Sequence, residues 1–326
     1  MLGEFELIAR YLAPLAEGEP GALGLRDDAA VISPPVGRDL VLAADALVEG
    51  VHFLPTDPPG LVARKLLRVN LSDLAAMGAR PRGYLMTTAW PKGRAEAWIA
   101  DFAAGLARDQ ETFGIGLLGG DTTGTPGPLS LSLTAIGTTP SGSRLERGGA
   151  RAGDSLYVSG TLGDGALGLR VLKGALDGLD AAERDWLIDR YRLPRPRLAL
   201  GAALLEQGLA SAAIDVSDGL VADVGHLAAA SGLAARIEAA AVPLSAAARS
   251  ALARDPGLLA RVLTGGDDYE LAFTAAPDRA ERLAALAGQL DLPLARVGEM
   301  TEGGGVAVMD AEGRSMELET AGWTHF

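Results

Sequence analysis

Apolar and polar positions along this chain follow two rhythms that take turns. Short apolar runs at 40–44, 83–89, 115–118 and 129–136 have strand length, and longer stretches at 61–77 and 95–113 repeat apolar residues near the helical period. A small, polar, glycine-rich stretch at 147–154 breaks both rhythms. It sets the expected boundary between an N-terminal domain, 1–146, and a C-terminal domain, 147–326. Beyond it, strands are expected at 155–159, 212–216, 269–274, 295–300 and 305–309, and helices at 164–175, 181–191, 197–207, 219–230 and 278–290. Both halves read as mixed α and β without a short-period repeat. A chain of 326 residues also exceeds the size at which single cores usually stop growing, which favours two domains.

The helix at 61–77 shows how the pattern places chemistry. At about 100° per residue, Leu66, Leu67, Asn70, Leu71, Leu74 and Met77 share one side, Asp73 falls on its edge, and Lys65, Arg68 and Ser72 face away. A carboxylate bordering a buried stripe needs a partner, because an unpaired buried charge is costly. An arginine satisfies that need as well as a cation does.

Carboxylates recur where apolar runs end: Asp27-Asp28, Asp45, Gly119-Gly120-Asp121, Asp215-Val216-Ser217-Asp218 and Gly265-Gly266-Asp267-Asp268. The chain has no cysteine and three histidines, so the donors available in number are hard oxygens, which suit Mg²⁺ and suit zinc or copper poorly. Taken singly, Asp121 reads as a glycine-turn residue and Ser217 or Asp218 as a helix N-cap. A helix start is also a place where phosphate binds, and the recurrence of the pattern favours cations carrying phosphate. His52 reads equally as a substrate contact or a satisfied, partly buried histidine. His226 and His325 read as structural and terminal.

A formal charge of −13 argues against nucleic-acid or anionic-membrane partners. The start of the chain lacks the basic and apolar regions of a signal peptide, and no apolar run approaches about 18 residues. A soluble, cytoplasmic protein is expected. No Gly-Lys-Ser/Thr loop and no protein-kinase motif set is present, so any use of ATP belongs to a less common class.

In order along nearly the whole chain, Gly3-Glu4-Phe5-Glu6-Leu7-Ile8, Asp27-Asp28-Ala29-Ala30, Gly50-Val51-His52-Phe53, Asn70-Leu71-Ser72-Asp73-Leu74, Gly119-Gly120-Asp121-Thr122-Thr123, Asp215-Val216-Ser217-Asp218-Gly219 and Gly265-Gly266-Asp267-Asp268-Tyr269-Glu270-Leu271 resemble the thiamine-monophosphate kinase family. That family lies within the aminoimidazole-ribonucleotide synthetase-like superfamily. The resemblance implies a two-domain α/β fold of mixed α+β character, with an N-terminal sheet-plus-helices domain that dimerises and a C-terminal α/β domain. It implies ATP-dependent phosphorylation of thiamine monophosphate to thiamine diphosphate by a homodimer. By position, Asp28, Asp45, Asp73, Asp121, Asp215 and Asp218 would hold several Mg²⁺ ions. Gly120, Asp121, Arg147 and Ser217 would contact ATP, and His52, Asp267 and Trp323 the thiamine substrate.

Three departures from the family pattern stand out: Arg26 replaces a glycine, Ala43-Ala44 replaces two hydroxyl residues, and Asp267 replaces the commoner Glu. At 43 and 44 only backbone carbonyls remain as ligands. The acceptor is itself a phosphate monoester with a second pKa of about 6. Neither a general base nor a covalent nucleophile is then expected, and direct in-line transfer follows. The alternatives are another ATP-dependent synthetase of the superfamily and a non-catalytic nucleotide-binding regulator.

Overall fold

The protein is described by a computed structural model covering residues 3–324; Met1, Leu2, His325 and Phe326 lie outside the described residues. It divides into two compact units, Met1–Leu74 with Ala79–Ser143, and Ala75–Gly78 with Arg144–Phe326.

The first unit contains α1 (Glu4–Leu7), β1 (Arg38–Val48), α2 (Pro59–Ala76, its last two residues counting with the second unit), β2 (Arg80–Pro91), α3 (Glu96–Phe113), β3 (Leu117–Thr125) and β4 (Ser130–Pro140). Its four-stranded sheet has the order β1-β4-β2-β3, parallel only between β2 and β3. Helices cover one face. Trp90 of β2 packs edge-on against Trp98 and Phe102 of α3, and Thr88 shares a 2.9 Å hydrogen bond with Thr122 beneath them. The opposite face carries Leu40, Leu42 and Leu85, all exposed.

Two sequence expectations change here. The strand read at 115–118 runs instead through Leu117–Thr125, so Gly119-Gly120-Asp121 is strand and not loop. Gly120 makes this possible with φ +151°, a backbone geometry that lets it pass Met86 where a Cβ would stand 1.8 Å from the Met86 carbonyl oxygen. The second change concerns α2. Lys65, Arg68 and Ser72 are not on an outer face but buried. Lys65 donates to the His52 carbonyl at 3.1 Å, and Arg68 and Arg64 converge on the buried Asp109 of α3. Charge pairing across helices buries what periodicity assigns to solvent.

The second unit has β5 (Ser155–Ser159), α4 (Asp164–Leu172), α5 (Ala181–Arg192), α6 (Leu198–Glu206), β6 (Ala212–Val216), α7 (Leu220–Ser231), β7 (Ala234–Glu238), α8 (Ala246–Arg254), α9 (Leu258–Thr264), β8 (Glu270–Ala275), α10 (Ala280–Leu290), β9 (Leu294–Thr301) and β10 (Gly305–Met309). The sequence pattern did not announce β7, α8 or α9. Their alanine-rich segment carries little contrast between faces. The six strands order as β10-β7-β9-β5-β8-β6. Alternation sorts the core. Leu156, Val158, Ile214 and Val216 join α4, α7, α8 and α9 in one apolar cluster, while Tyr157, Ala213 and Phe273 join α6 and α10 in another. Both faces of the central strands are therefore covered, and their polar chemistry is confined to strand ends.

Candidate functional site

In the second unit the site is built where β6 ends. Asp215 is buried at the strand terminus, and residues 217–219 turn into α7. Neither Ser217 nor Asp218 caps that helix; the N-cap position is Gly219, with no side-chain cap. The turn is held from inside the helix instead. One oxygen of Asp223 accepts the backbone N–H groups of Ser217, Asp218 and Gly219, each at 3.0 Å. Burial, followed by the like charges of Asp215 and Asp218, pushes the Asp223 carboxyl up to about 8. Three carboxylates thus gather at a helix start, where negative charge is favoured and a cation relieves their mutual repulsion.

A second loop lies along the first. The N–H of Asp267 donates to the Ser217 carbonyl at 2.9 Å and that of Tyr269 to the Val216 carbonyl at 2.8 Å. Gly266 lets the two loops approach; a Cβ there would meet the Ser217 oxygen at 2.3 Å. The C-terminal tail closes the group, with the Trp323 N–H donating to the Asp218 carbonyl at 2.9 Å and its ring half exposed. Asp215, Ser217, Asp218, Asp267 and Trp323 are accordingly brought together. Arg147 is not beside them. Its carbonyl accepts the Ser231 hydroxyl at the far end of α7, twelve residues or about 18 Å along the helix from the turn.

In the first unit, Asp27, Asp28 and Asp121 line one cavity of about 420 Å³ with Leu12, Leu85 and Ile136. Asp45 and Asp73 belong to another place. Register pairs Asp45 with Leu133 and Ala43 with Ala135, so Asp45 is on the helix-covered face of edge strand β1; Asn70 of α2 accepts its N–H at 2.9 Å. Asp121 pairs with Thr87, one residue out of phase with the covered Thr88–Thr122 pair, on the opposite face of the other edge strand. His52 is partly buried, its Nδ1 accepting the Val48 N–H at 3.0 Å, which leaves Nε2 as the protonated nitrogen of the neutral ring. Among the described residues no three His, Asp or Glu side chains are grouped closely enough to form a metal cage.

The chain matches the AIR synthase related protein N-terminal domain over residues 26–139 and the C-terminal domain over 151–311. The thiamine-monophosphate kinase of Caulobacter vibrioides is 45% identical over 325 residues, covering 99% of this chain and 90% of that protein. The chain belongs to the AIR synthase related family, in its thiamine-monophosphate kinase branch.

Solved structures of that branch share the fold. The thiamine-monophosphate kinase of Stenotrophomonas maltophilia superposes with a TM-score of 0.85 at 45% identity, covering 97% of this chain and 98% of the other. AaThiL complexed with AMPPCP and TMP gives 0.79 at 32% identity, covering 100% and 97%. Within the family's Gly265–Leu271 block, sequence reasoning singled out Asp267 and missed its neighbours. Asp268 is buried and accepts the N–H groups of Gly163 (2.6 Å) and Gly165 (3.1 Å); burial holds its carboxyl well above the usual range, with Asp164 and Glu270 adding to the effect against those two donors. Asp223 was missed as well. Its signal is an acid in the first turn of a helix that follows a strand-end Asp, a position suited to orphan N–H groups.

Proposed function

We propose that this chain transfers the γ-phosphoryl group of ATP to the phosphate of thiamine monophosphate, giving thiamine diphosphate by direct in-line displacement. The observation that carries the reading is the gathering of Asp215, Ser217, Asp218, Asp267 and Trp323 around one strand end, in a family whose relatives are named for that reaction. The AaThiL neighbour solved with AMPPCP and TMP supports a site that takes a nucleotide and the acceptor together.

The donor set fits Mg²⁺. It is all oxygen, and Mg²⁺ is commonly held by one or two carboxylates together with water and substrate phosphates, so no preformed three-carboxylate cage is required. Asp215 and Asp218 would hold it in the second unit, and Asp28, Asp45, Asp73 and Asp121 in the first. Bound there, it supplies the positive charge that lets two polyanions meet. The protein's own part is alignment. In the second unit the 217–219 turn, fixed by Asp223, offers Ser217 to nucleotide phosphate, and Arg147 is a further proposed nucleotide contact; in the first unit Gly120 and Asp121 are the proposed nucleotide contacts. Asp267 and Trp323, on the adjoining loop and tail, receive the thiamine side, and His52 is the proposed substrate contact of the first unit. The acceptor phosphate is largely ionised near neutral pH. Transfer therefore needs positioning more than proton removal.

A homodimer fits the first unit. Asp45 and Asp121 lie on opposite faces and on edge strands three spacings, about 14 Å, apart, so one chain cannot aim both at the same ion. Two chains pairing through the exposed face that carries Leu40 and Leu42 would bury those side chains, with residues 1–146 as the nucleotide-binding and dimerising part. No helix among the described residues is long and apolar enough to cross a membrane. The reading places the enzyme in the cytoplasm, away from nucleic acid and membranes.

Purified protein incubated with Mg²⁺-ATP and thiamine monophosphate, with thiamine and aminoimidazole precursors in parallel, tests the proposal. Thiamine diphosphate from the monophosphate alone is expected. ATP binding without any product would favour a sibling synthetase or a nucleotide-binding regulator.

A further inference from the structure

Glu270 is wholly buried and carries an ionic network around it. Arg197 grips the carboxylate through Nε, 2.6 Å from Oε2, and through Nη2 to Oε1; Arg190 adds Nη2 at 3.2 Å, and Ser159 donates its hydroxyl at 2.6 Å. The same hydroxyl accepts the N–H of Leu271 at 2.9 Å. A buried network of this kind is often no more stabilising than apolar packing of the same volume. Its position suggests what it does instead.

Just before Glu270, Asp267 and Tyr269 have φ of +73° and +52°, left-handed conformations that are strained for a non-glycine residue. Something must hold them. Asp268, between them, is tied to the first N–H groups of the α4 turn, and Glu270, after them, is tied to the two arginines. The surroundings are cut to this path: a Cβ at Gly160 would stand 2.4 Å from the Glu270 carboxylate, and one at Gly165 would stand 2.3 Å from the Asp267 carbonyl oxygen. Asp268 and Glu270 are anchored inward, and the backbone N–H of Asp267 meets the Ser217 carbonyl of the 217–219 turn.

We propose that Glu270, held by Arg197 and Arg190, is a positioning residue that presents Asp267 to the phosphate acceptor and so governs acceptor recognition more than ATP binding. This rests on the kinase reading above. Ser217 is held independently of this network, by Asp223.

Glu270→Gln keeps the volume and removes the charge; Arg197→Lys keeps the charge and removes the two-point grip. Both are measured beside the wild type and Asp267→Asn, with KM for thiamine monophosphate and for ATP determined separately and Tm recorded. Each variant should raise the acceptor KM by roughly tenfold or more, Arg197→Lys least, while the ATP KM stays within about threefold. An Arg197→Lys protein with lower Tm and unchanged acceptor KM would make the network merely structural. Equal rises in both KM values, or an unchanged acceptor KM in Asp267→Asn, would also overturn the proposal. If Glu270→Gln does not fold, Arg197→Lys decides alone. A wild type that forms no thiamine diphosphate sinks the kinase reading and this proposal with it.

Discussion

Asn70 Oδ1 accepts the backbone N–H of Asp45 at 2.9 Å, while its own amide donates to the Leu66 carbonyl one turn back in α2. A helix and an edge strand are thereby locked together at the two elements that carry Asp45 and Asp73. Asn70→Ala should cost about 1–3 kcal/mol, the loss expected when a buried hydrogen-bond partner is deleted. It should also raise the Mg²⁺ concentration needed for half-maximal activity. Denaturant melts and Mg²⁺ titrations of turnover would report the two effects.

Asp73→Asn and Asp121→Asn change charge with little change of volume. Turnover should be abolished in both, with circular dichroism and Tm close to wild type. Near-normal activity with unaltered Mg²⁺ dependence in either variant would remove that residue from the ligand set.

Asp223 gives a pH signature. Its folded-state value of about 8 lies above the ordinary 3.8, so between these limits the unfolded chain binds fewer protons than the folded one. Stability without metal should therefore fall as pH rises from about 4 to about 8. Asp268, also raised, adds to the slope in the same direction. Asp223→Asn should flatten it while preserving the turn, since an amide oxygen still accepts the three N–H groups. Tm measured against pH in a chelator, for wild type and variant, would show whether the slopes differ.

Asp109 is fully buried between Arg64 at 2.8 Å and Arg68 at 2.6 Å. Removing one member of a buried pair is far more damaging than the pair is stabilising, so Asp109→Asn should lose about 3–5 kcal/mol. Equilibrium unfolding would measure it, and a loss under about 1 kcal/mol would mean that solvent reaches the arginines.

Gly120→Ala tests strand β3. With a Cβ forced to within 1.8 Å of the Met86 oxygen, backbone must move, and Asp121 moves with it. Expected are a lower Tm and lost ATP binding by calorimetry; wild-type behaviour would mean the strand tolerates a different path.

Much of this was legible in the chain. Residues 155–159 and 212–216 are strands within the ends assigned from apolar runs, and Asp215 falls where β6 stops. Helix α2 was legible in extent but not in its burial, because a 3.6-residue period sees apolar stripes and cannot see that Arg68 has a partner 41 positions away in Asp109. The alanine-rich 234–264 segment hid a strand and two helices for a related reason: alanine fits either face, so the periodic contrast disappears.

By itself the sequence determined the order of the elements outside the alanine-rich segment and the all-oxygen donor chemistry, since these depend on residue type and on neighbours within a few positions. Tertiary structure decided which of those residues meet. Strand register put Asp45 and Asp121 on opposite faces of one sheet, and a carboxylate 111 positions from Ser159 closed the network that shapes the loop of Asp267. Pairing register and buried charge join distant positions through geometry, and no local pattern encodes that geometry.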